Sequence, residues 1–315
     1  MLSLKNKKIL VTGGSGFLGS HVVEGLKRRG VPEKNIFVST SREFDLRKWE
    51  GCVRAVEGQE IIFDLAAVTG DLLRRLKIPG ELFYDNLIMG VQLIEAARQA
   101  QVKKIITIGS AAAYPENAPT PLKEEDLWMG PQSFINISYG LAKKMLLVQG
   151  QAYRRQYGMD IIHLMPTNTY GPRERVESGY LMPSLINRVV EAKHSGRPSI
   201  EVWGTGEPVR DFLYVDDAVE GILTAAESYD DSEPVNLGTG VGISIKELVN
   251  LISKLVGFRG EIKWDTSKPN GQMYRIMNTH RAKEKFGFKP KMSLEEGLKK
   301  TIEWHENDTR GDKTT

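Results

Sequence analysis

Apolar residues fall along the first half of the chain in short runs separated by longer amphipathic stretches. The run KKILVT (7–12) reads as a buried strand, and residues 17–29 read as a helix ending at Gly30. Further strands are expected at NIFVS (35–39), EIIFDLAA (60–67), 104–111 and DIIHLMP (160–166). Helical periodicity occupies 47–57, 81–101 and 138–157. Strands alternating with helices, and apolar along both faces, predict an α/β fold: a Rossmann-type, doubly wound parallel sheet covered on both sides. After about residue 170 the pattern breaks. Pro and Gly become frequent in GPRERVESGYLMP and GRPSIEVWGTGEP, and the elements shorten. Residues 1–170 are therefore expected to form a dinucleotide-binding domain. Residues 171–315 should form a smaller α/β substrate domain, with some chain returning to the first. The polar end NDTRGDKTT is expected to fray.

Composition narrows the class. Hydrophobic residues are 40% and charged residues 26% of 315, an ordinary globular balance, and the net charge of +3 is too small to argue for nucleic acid. A single cysteine, Cys52, forms no internal disulfide and fits a reducing compartment. No apolar run near the start is long enough for a signal peptide or a membrane span, so a cytoplasmic location is expected. No metal site is expected.

The chemistry begins at Thr12-Gly13-Gly14-Ser15-Gly16-Phe17-Leu18-Gly19, between the first strand and first helix. Glycines there allow a tight turn and close approach of backbone to a pyrophosphate at the helix N-terminus. An acidic residue at the end of the second strand would hold the ribose 2′-hydroxyl of NAD. Ser39, Ser41 and Arg42 stand there instead, with no acid before Glu43. Hydroxyls and a guanidinium suit a 2′-phosphate, which favours NADP over NAD.

Tyr139 and Lys143 are spaced i, i+4, on one face of a helix. An ammonium beside a phenol favours its ionised form, which a tyrosine needs for acid–base work near neutral pH. Ser110, ending the fourth strand, is placed to hydrogen-bond the reacting oxygen. Taken alone, a Tyr-x-x-x-Lys pair is a surface pattern; behind a matching glycine loop and a strand-end serine it points to hydride transfer at a carbonyl.

TGGSGFLG, Ser110 and Tyr139–Lys143 together resemble the extended short-chain dehydrogenase/reductases. The later blocks MPTNTYGP (165–172), VWGTGEPVRDFLYVDDA (202–218), NLGTG (236–240) and WDTSKPNG (264–271) resemble the GDP-L-fucose synthases over roughly residues 7–305. The resemblance implies further cofactor contacts at Asp45, Leu46, Leu65, Ala66, Ala67, Pro166 and Thr169. It implies substrate contacts at Asn168, Arg188, Trp203, Arg210 and Arg275, the last standing where the family usually has lysine. Arginines suit diphosphate oxygens. The VDD motif is less specific, and a plain reading makes Asp217 an N-cap for a following helix. The resemblance also implies a homodimer through the helices at 81–101 and 138–157, which carry apolar residues beyond one stripe.

Two positions depart from that family. Its epimerising cysteine and histidine correspond here to Ala112 and Tyr180. Alanine transfers no proton, and tyrosine is a weak acid without its own cation. Cys52 is expected in a peripheral helix–loop region and His163 in a packed strand, while His21, His194 and His280 have no motif around them. The expectation is a reductase of a GDP-linked 4-keto sugar that has lost the epimerase step. The alternatives are an epimerase/reductase like the family, an NAD-dependent sugar-nucleotide 4-epimerase, and a non-catalytic nucleotide-sensing protein.

Overall fold

The computed structural model describes residues 2–70, 72–268 and 270–311. Pro269 of the SKPNG segment and residues 312–315 of the polar tail lie outside the described residues. The first half runs β1 (Ile9–Thr12), α1 (Phe17–Arg28), β2 (Ile36–Ser39), α2 (Trp49–Val56), β3 (Ile61–Asp64), α3 (Leu72–Lys77), α4 (Pro79–Gln99), β4 (Lys104–Ile108), α5 (Ile137–Tyr157) and β5 (Asp160–Pro166). The second half runs β6 (Asn168–Tyr170), α6 (Leu181–His194), β7 (Ser199–Trp203), β8 (Val209–Tyr214), α7 (Val215–Ser228), β9 (Val235–Leu237), β10 (Gly242–Ser244), α8 (Ile245–Val256), β11 (Glu261–Asp265), β12 (Tyr274–Arg275), α9 (His280–Phe286) and α10 (Leu294–Gly311).

Six parallel strands form one sheet in the order β2-β1-β3-β4-β5-β9. β1, β3 and β4 are buried at every position, as expected of strands covered on both faces. One face packs under α1 and α7, the other under α2, α4 and α5. The chain crosses β1 on leaving β2, so the strand order reverses between β1 and β3. That switch point opens a crevice at the carboxyl ends of those strands. The expected Rossmann-type α/β fold is what the chain adopts. Short α3, ahead of α4, is an element the apolar periodicity did not announce, because its LLRRLK segment has no long amphipathic stripe.

β6, β8, β10 and β12 make a second small sheet, and β7 pairs with β11. Arg275 on β12 lies in parallel register with Arg210 on β8, which brings two distant guanidiniums together. The next residue, Asp211, is fully buried. Its carboxylate accepts hydrogen bonds from Thr239 Oγ1 at 2.5 Å and from the amides of Thr239 and Gly240, both at 3.1 Å. The RDF and NLGTG motifs are thus two halves of one clasp. Asp217 does not cap a helix start. α7 begins earlier, at Val215, and the Asp217 carboxylate accepts the amides of Lys291 and Met292, fixing the entry to α10.

Candidate active site

The glycine loop fits a dinucleotide pyrophosphate. Gly13 adopts φ +64°, and a Cβ on Gly19 would lie 2.1 Å from the Gly13 carbonyl oxygen. The N-terminus of α1 has no side-chain cap and no acidic residue in its first turn, which leaves its amides for an anion. Thr12 ties the loop to the switch point. Its hydroxyl donates to Asp64 Oδ1 at 2.9 Å and accepts the amides of Leu65 and Ala66, both at 3.0 Å.

A cavity of about 460 Å³ opens over this loop. Gly13, Ser15, Gly16, Phe17, Leu18, Gly19, Leu65, Ala67, Pro166 and Thr169 line it, as do Ser110, Tyr139 and Lys143. Ala66 lies beside Gly13, where a Cβ on the glycine would stand 3.0 Å from the Ala66 backbone. The remaining expected cofactor residues lie outside the cavity. Ser39 is buried at the end of β2, while Ser41 and Arg42 are exposed beyond it. The Asp45 carboxylate is held by Arg47, at 2.9 Å from Nε and 3.1 Å from Nη2. Leu46 is packed in the core, where its carbonyl accepts the Cys52 thiol at 3.2 Å. Cys52 is therefore not peripheral: it is fully buried in α2, and burial pushes its thiol up to about 12. A thiol so placed takes no part in proton transfer at the site.

Ser110 follows β4 and caps the short 3₁₀ turn Ala111–Ala113, its Oγ accepting the Ala112 amide at 3.1 Å. Tyr139 and Lys143 sit one turn apart on the buried side of α5, 9% and 2% exposed. Burial pushes the Tyr139 phenol up, and the Arg75 charge opposes that shift. Burial also pushes the Lys143 ammonium down, against the charges of Asp64 and Tyr180. His163 is the packed histidine its strand position implies. Its Nδ1 meets Thr107 Oγ1 at 2.8 Å, and burial beside Lys143 pushes it down to about 3, keeping it neutral.

A second cavity, of about 490 Å³, continues from the first; Arg75, Asn168, Tyr180, Leu181 and Arg275 are walls of both. All five expected substrate residues line it: Asn168, Arg188, Trp203, Arg210 and Arg275. Asn168 Nδ2 donates to Asp211 O at 2.8 Å. Arg188 donates to Glu201 O. Trp203 is 43% exposed, with Lys268 Nζ 5.6 Å from its ring. Asn270 of the SKPNG segment accepts the Thr205 amide at 2.7 Å, closing the rim. Neither Arg210 nor Arg275 forms an ion pair among the described residues. Burial, plus like charge from Arg210 and Arg75 on Arg275, works against both guanidiniums. Charged groups left in that condition are suited to a diphosphate.

Ala112 lines the triad cavity, and Tyr180 stands at the wall common to both cavities, hydrogen-bonded to Thr69. Burial, then the neighbouring Tyr139, pushes the Tyr180 phenol up, so it is neutral near pH 7. Among the described residues no histidine or cysteine lines either cavity. His21 Nε2 meets Pro172 O at 3.0 Å, and His194 and His280 are exposed beside glutamates. Two wall residues had no signal in the sequence. Arg75 sits in a charged run that reads as solvated surface. Glu174, 7% exposed with Oε2 unpartnered, is pushed up to about 8 by burial and is a neutral acid at pH 7.

Comparison with known proteins agrees with this geometry. The model of the NAD dependent epimerase/dehydratase family matches residues 9–238. The probable GDP-L-fucose synthase 1 of Oryza sativa subsp. japonica is 36% identical over 310 residues, covering 96% of this chain and 93% of that protein. A GDP-6-OMe-4-keto-L-xylo-heptose reductase from C. jejuni superposes with a TM-score of 0.91 at 27% identity, covering 96% of this chain and 99% of that one. MlghC, a GDP-mannoheptose C4 reductase from Campylobacter jejuni solved with NADP bound, gives 0.87 at 30% identity, with the same coverages. These matches make the chain a member of the NAD dependent epimerase/dehydratase family, the extended short-chain dehydrogenase/reductases.

Proposed function

We propose that this protein is an NADPH-dependent reductase acting at C4 of a 4-keto sugar carried on GDP, without epimerising C3 or C5. The observation that carries the reading is the junction of the two cavities. The triad lies in one, Arg188 and Arg210 in the other, with Arg275 at their common wall, and a ligand spanning both would present its sugar at Tyr139. Bound NADPH supplies the hydride. Ser110 holds the sugar carbonyl oxygen. Tyr139 donates its proton to that oxygen as it becomes an alkoxide, and Lys143 supports the phenolate left behind. Arg188, Arg210 and Arg275 hold the diphosphate, and Trp203 packs on the base or sugar. Ser39, Ser41 and Arg42, with no acid among them, suit the 2′-phosphate of NADP. The names of the relatives, fucose synthase and heptose reductase, support a GDP-linked six- or seven-carbon sugar.

Epimerisation needs an acid and a base at carbons flanking the ketone. Ala112 provides neither, and Tyr180 is a half-buried, neutral phenol bonded to Thr69. The test is incubation with NADPH and a GDP-4-keto-6-deoxy sugar in D2O. One NADPH should be oxidised per sugar reduced, with no deuterium entering C3 or C5. Catalytic deuterium at either carbon would restore the epimerase/reductase reading, and no NADPH oxidation would remove the reductase.

Arg275→Met should weaken GDP binding by about 10- to 100-fold in calorimetry, since a charge-assisted hydrogen bond is worth about 1.5–3 kcal/mol. NADPH affinity should not change. An unaltered GDP affinity would remove Arg275 from the diphosphate site.

The same reading divides the chain near residue 170 into cofactor and substrate portions and pairs two copies through α4 and α5. Those helices leave Phe83, Tyr84, Ile137 and Val148 exposed. A cytoplasmic setting suits a reductant-dependent enzyme with one buried thiol. Among the described residues no helix is long and apolar enough to cross a membrane.

A further inference from the structure

The Tyr-x-x-x-Lys spacing assigns one cation to Tyr139, but a second, from a different element, lies over its ring. The Cζ of Arg75 in α3 is 5.3 Å from the Tyr139 ring centroid. Two hydrogen bonds hold the guanidinium there. Nε donates to Gly70 O at 3.0 Å, and Nη1 donates to Asn136 Oδ1 at 2.7 Å. Asn136 immediately precedes α5, so Arg75 is fixed to the N-terminal end of the helix that carries Tyr139 and Lys143. Its side chain also lines both cavities, at their common wall.

We propose that Arg75 is a positioning residue and second activating cation, which favours proton release from Tyr139 and braces the catalytic helix against α3. The proposal deepens the reductase reading and rests on it for the identity of the proton acceptor. A guanidinium within about 6 Å of an aromatic ring is attracted to it, and more strongly once both are desolvated. A fixed positive charge also stabilises the phenolate relative to the phenol. Among the described residues, the other charged or titratable side chains on the triad cavity are Lys143, Glu174, Tyr180 and Arg275. Lys143 interacts with Asp64 and Tyr180, and with His163. Glu174, pushed up to about 8 by burial, is largely protonated near neutral pH and ionised where tyrosines titrate, so its charge enters both curves of each pair. Arg75 is thus the cation that lies over the Tyr139 ring, while Lys143 sits one turn further along α5.

The sign follows. In the direction of carbonyl reduction Tyr139 must be protonated, and the rate falls as pH rises through its pKa. Removing the Arg75 charge raises that pKa, so the falling limb moves to higher pH while the phenol becomes a weaker acid. The shift expected is about one pH unit, a tenfold change in the phenol–phenolate ratio at fixed pH.

The experiment is a spectroscopic titration of tyrosine ionisation without substrate. Subtracting the curve of Tyr139→Phe from that of the unsubstituted protein isolates Tyr139. The pair Arg75→Met and Arg75→Met/Tyr139→Phe is treated likewise, with NADPH binding as the check on folding. The Tyr139 midpoint should rise in Arg75→Met and return most of the way in Arg75→Lys, and the pH profile of kcat/KM should move with it. If Arg75→Met does not fold, Arg75→Gln removes the charge while keeping a donor toward Asn136. An unmoved midpoint in a folded, NADPH-binding, charge-deleted variant overturns the proposal. A midpoint that moves in a protein reducing no 4-keto sugar upholds the electrostatic role and removes the substrate assignment instead.

Discussion

Tyr139→Phe should lower kcat for carbonyl reduction by about 10³-fold, within the range by which a positioned general acid accelerates a reaction. The substitution removes one hydroxyl and little else. The ring of a residue 9% exposed keeps its packing, the Arg75 guanidinium keeps an aromatic face, and Ser110 and Lys143 stay in place. NADPH affinity, read by fluorescence titration, should change by less than about twofold, because proton donation and cofactor binding rest on different atoms. Steady-state kinetics at saturating NADPH decide the matter. Activity within about tenfold of the unsubstituted protein would mean that another acid serves the alkoxide. Tyr180, the other phenol on the same cavity, would be the first suspect.

Gly140→Ala should be nearly as damaging, although it removes no functional group. Gly140 lies between Tyr139 and Lys143 in α5, where the helix meets the turn that carries Ser110. A Cβ at that position would stand 2.2 Å from the Ala112 carbonyl oxygen and 2.7 Å from its carbon. Those are backbone atoms and cannot swing aside, so the helix and turn must separate. Alanine's better helix propensity contributes about 1 kcal/mol. Overpacking costs about 1–3 kcal/mol and so cancels or exceeds that gain. Catalysis is the more sensitive readout, because about 1 Å of misplacement between reacting groups costs about 10²-fold. The expected result is a small fall in melting temperature with a loss in kcat of about 10²-fold. A variant as stable and as active as the parent would show that the approach of α5 to the turn does not position the triad.

The same two segments show how far sequence carried. TGGSGFLG, Ser110 and Tyr139–Lys143 were legible because their chemistry is local. A glycine loop needs only a strand before it and a helix behind it, and an i, i+4 pair needs only helical periodicity. The parallel sheet was legible for a similar reason, since apolar runs between amphipathic helices leave few other arrangements. Arg188, Arg210 and Arg275, which the resemblance implies for the substrate, line one cavity.

Other expectations failed where burial or neighbours decide a residue's role. Cys52, expected in a peripheral helix–loop region, lies on α2 and is fully covered. Asp217 looked like a helix cap because it precedes an apolar stretch. Its carboxylate is instead taken by two amides far along the chain.

Sequence by itself pointed to a parallel α/β sheet, a glycine loop between strand and helix, and Ser110, Tyr139 and Lys143 in the spacing of the family it resembles, with Ala112 and Tyr180 where that family carries cysteine and histidine. Each of those follows from residues close together in the chain, or from the order of motifs along it. Only the tertiary structure decided that Arg75 lies on the Tyr139 ring, that Glu174 is a neutral acid near pH 7 in the triad cavity, and that Arg210 and Arg275 stand in register with no ion pair among the described residues. Those facts depend on separation through space, and on the burial that makes a charge costly. Neither is written in the spacing of residues along a chain.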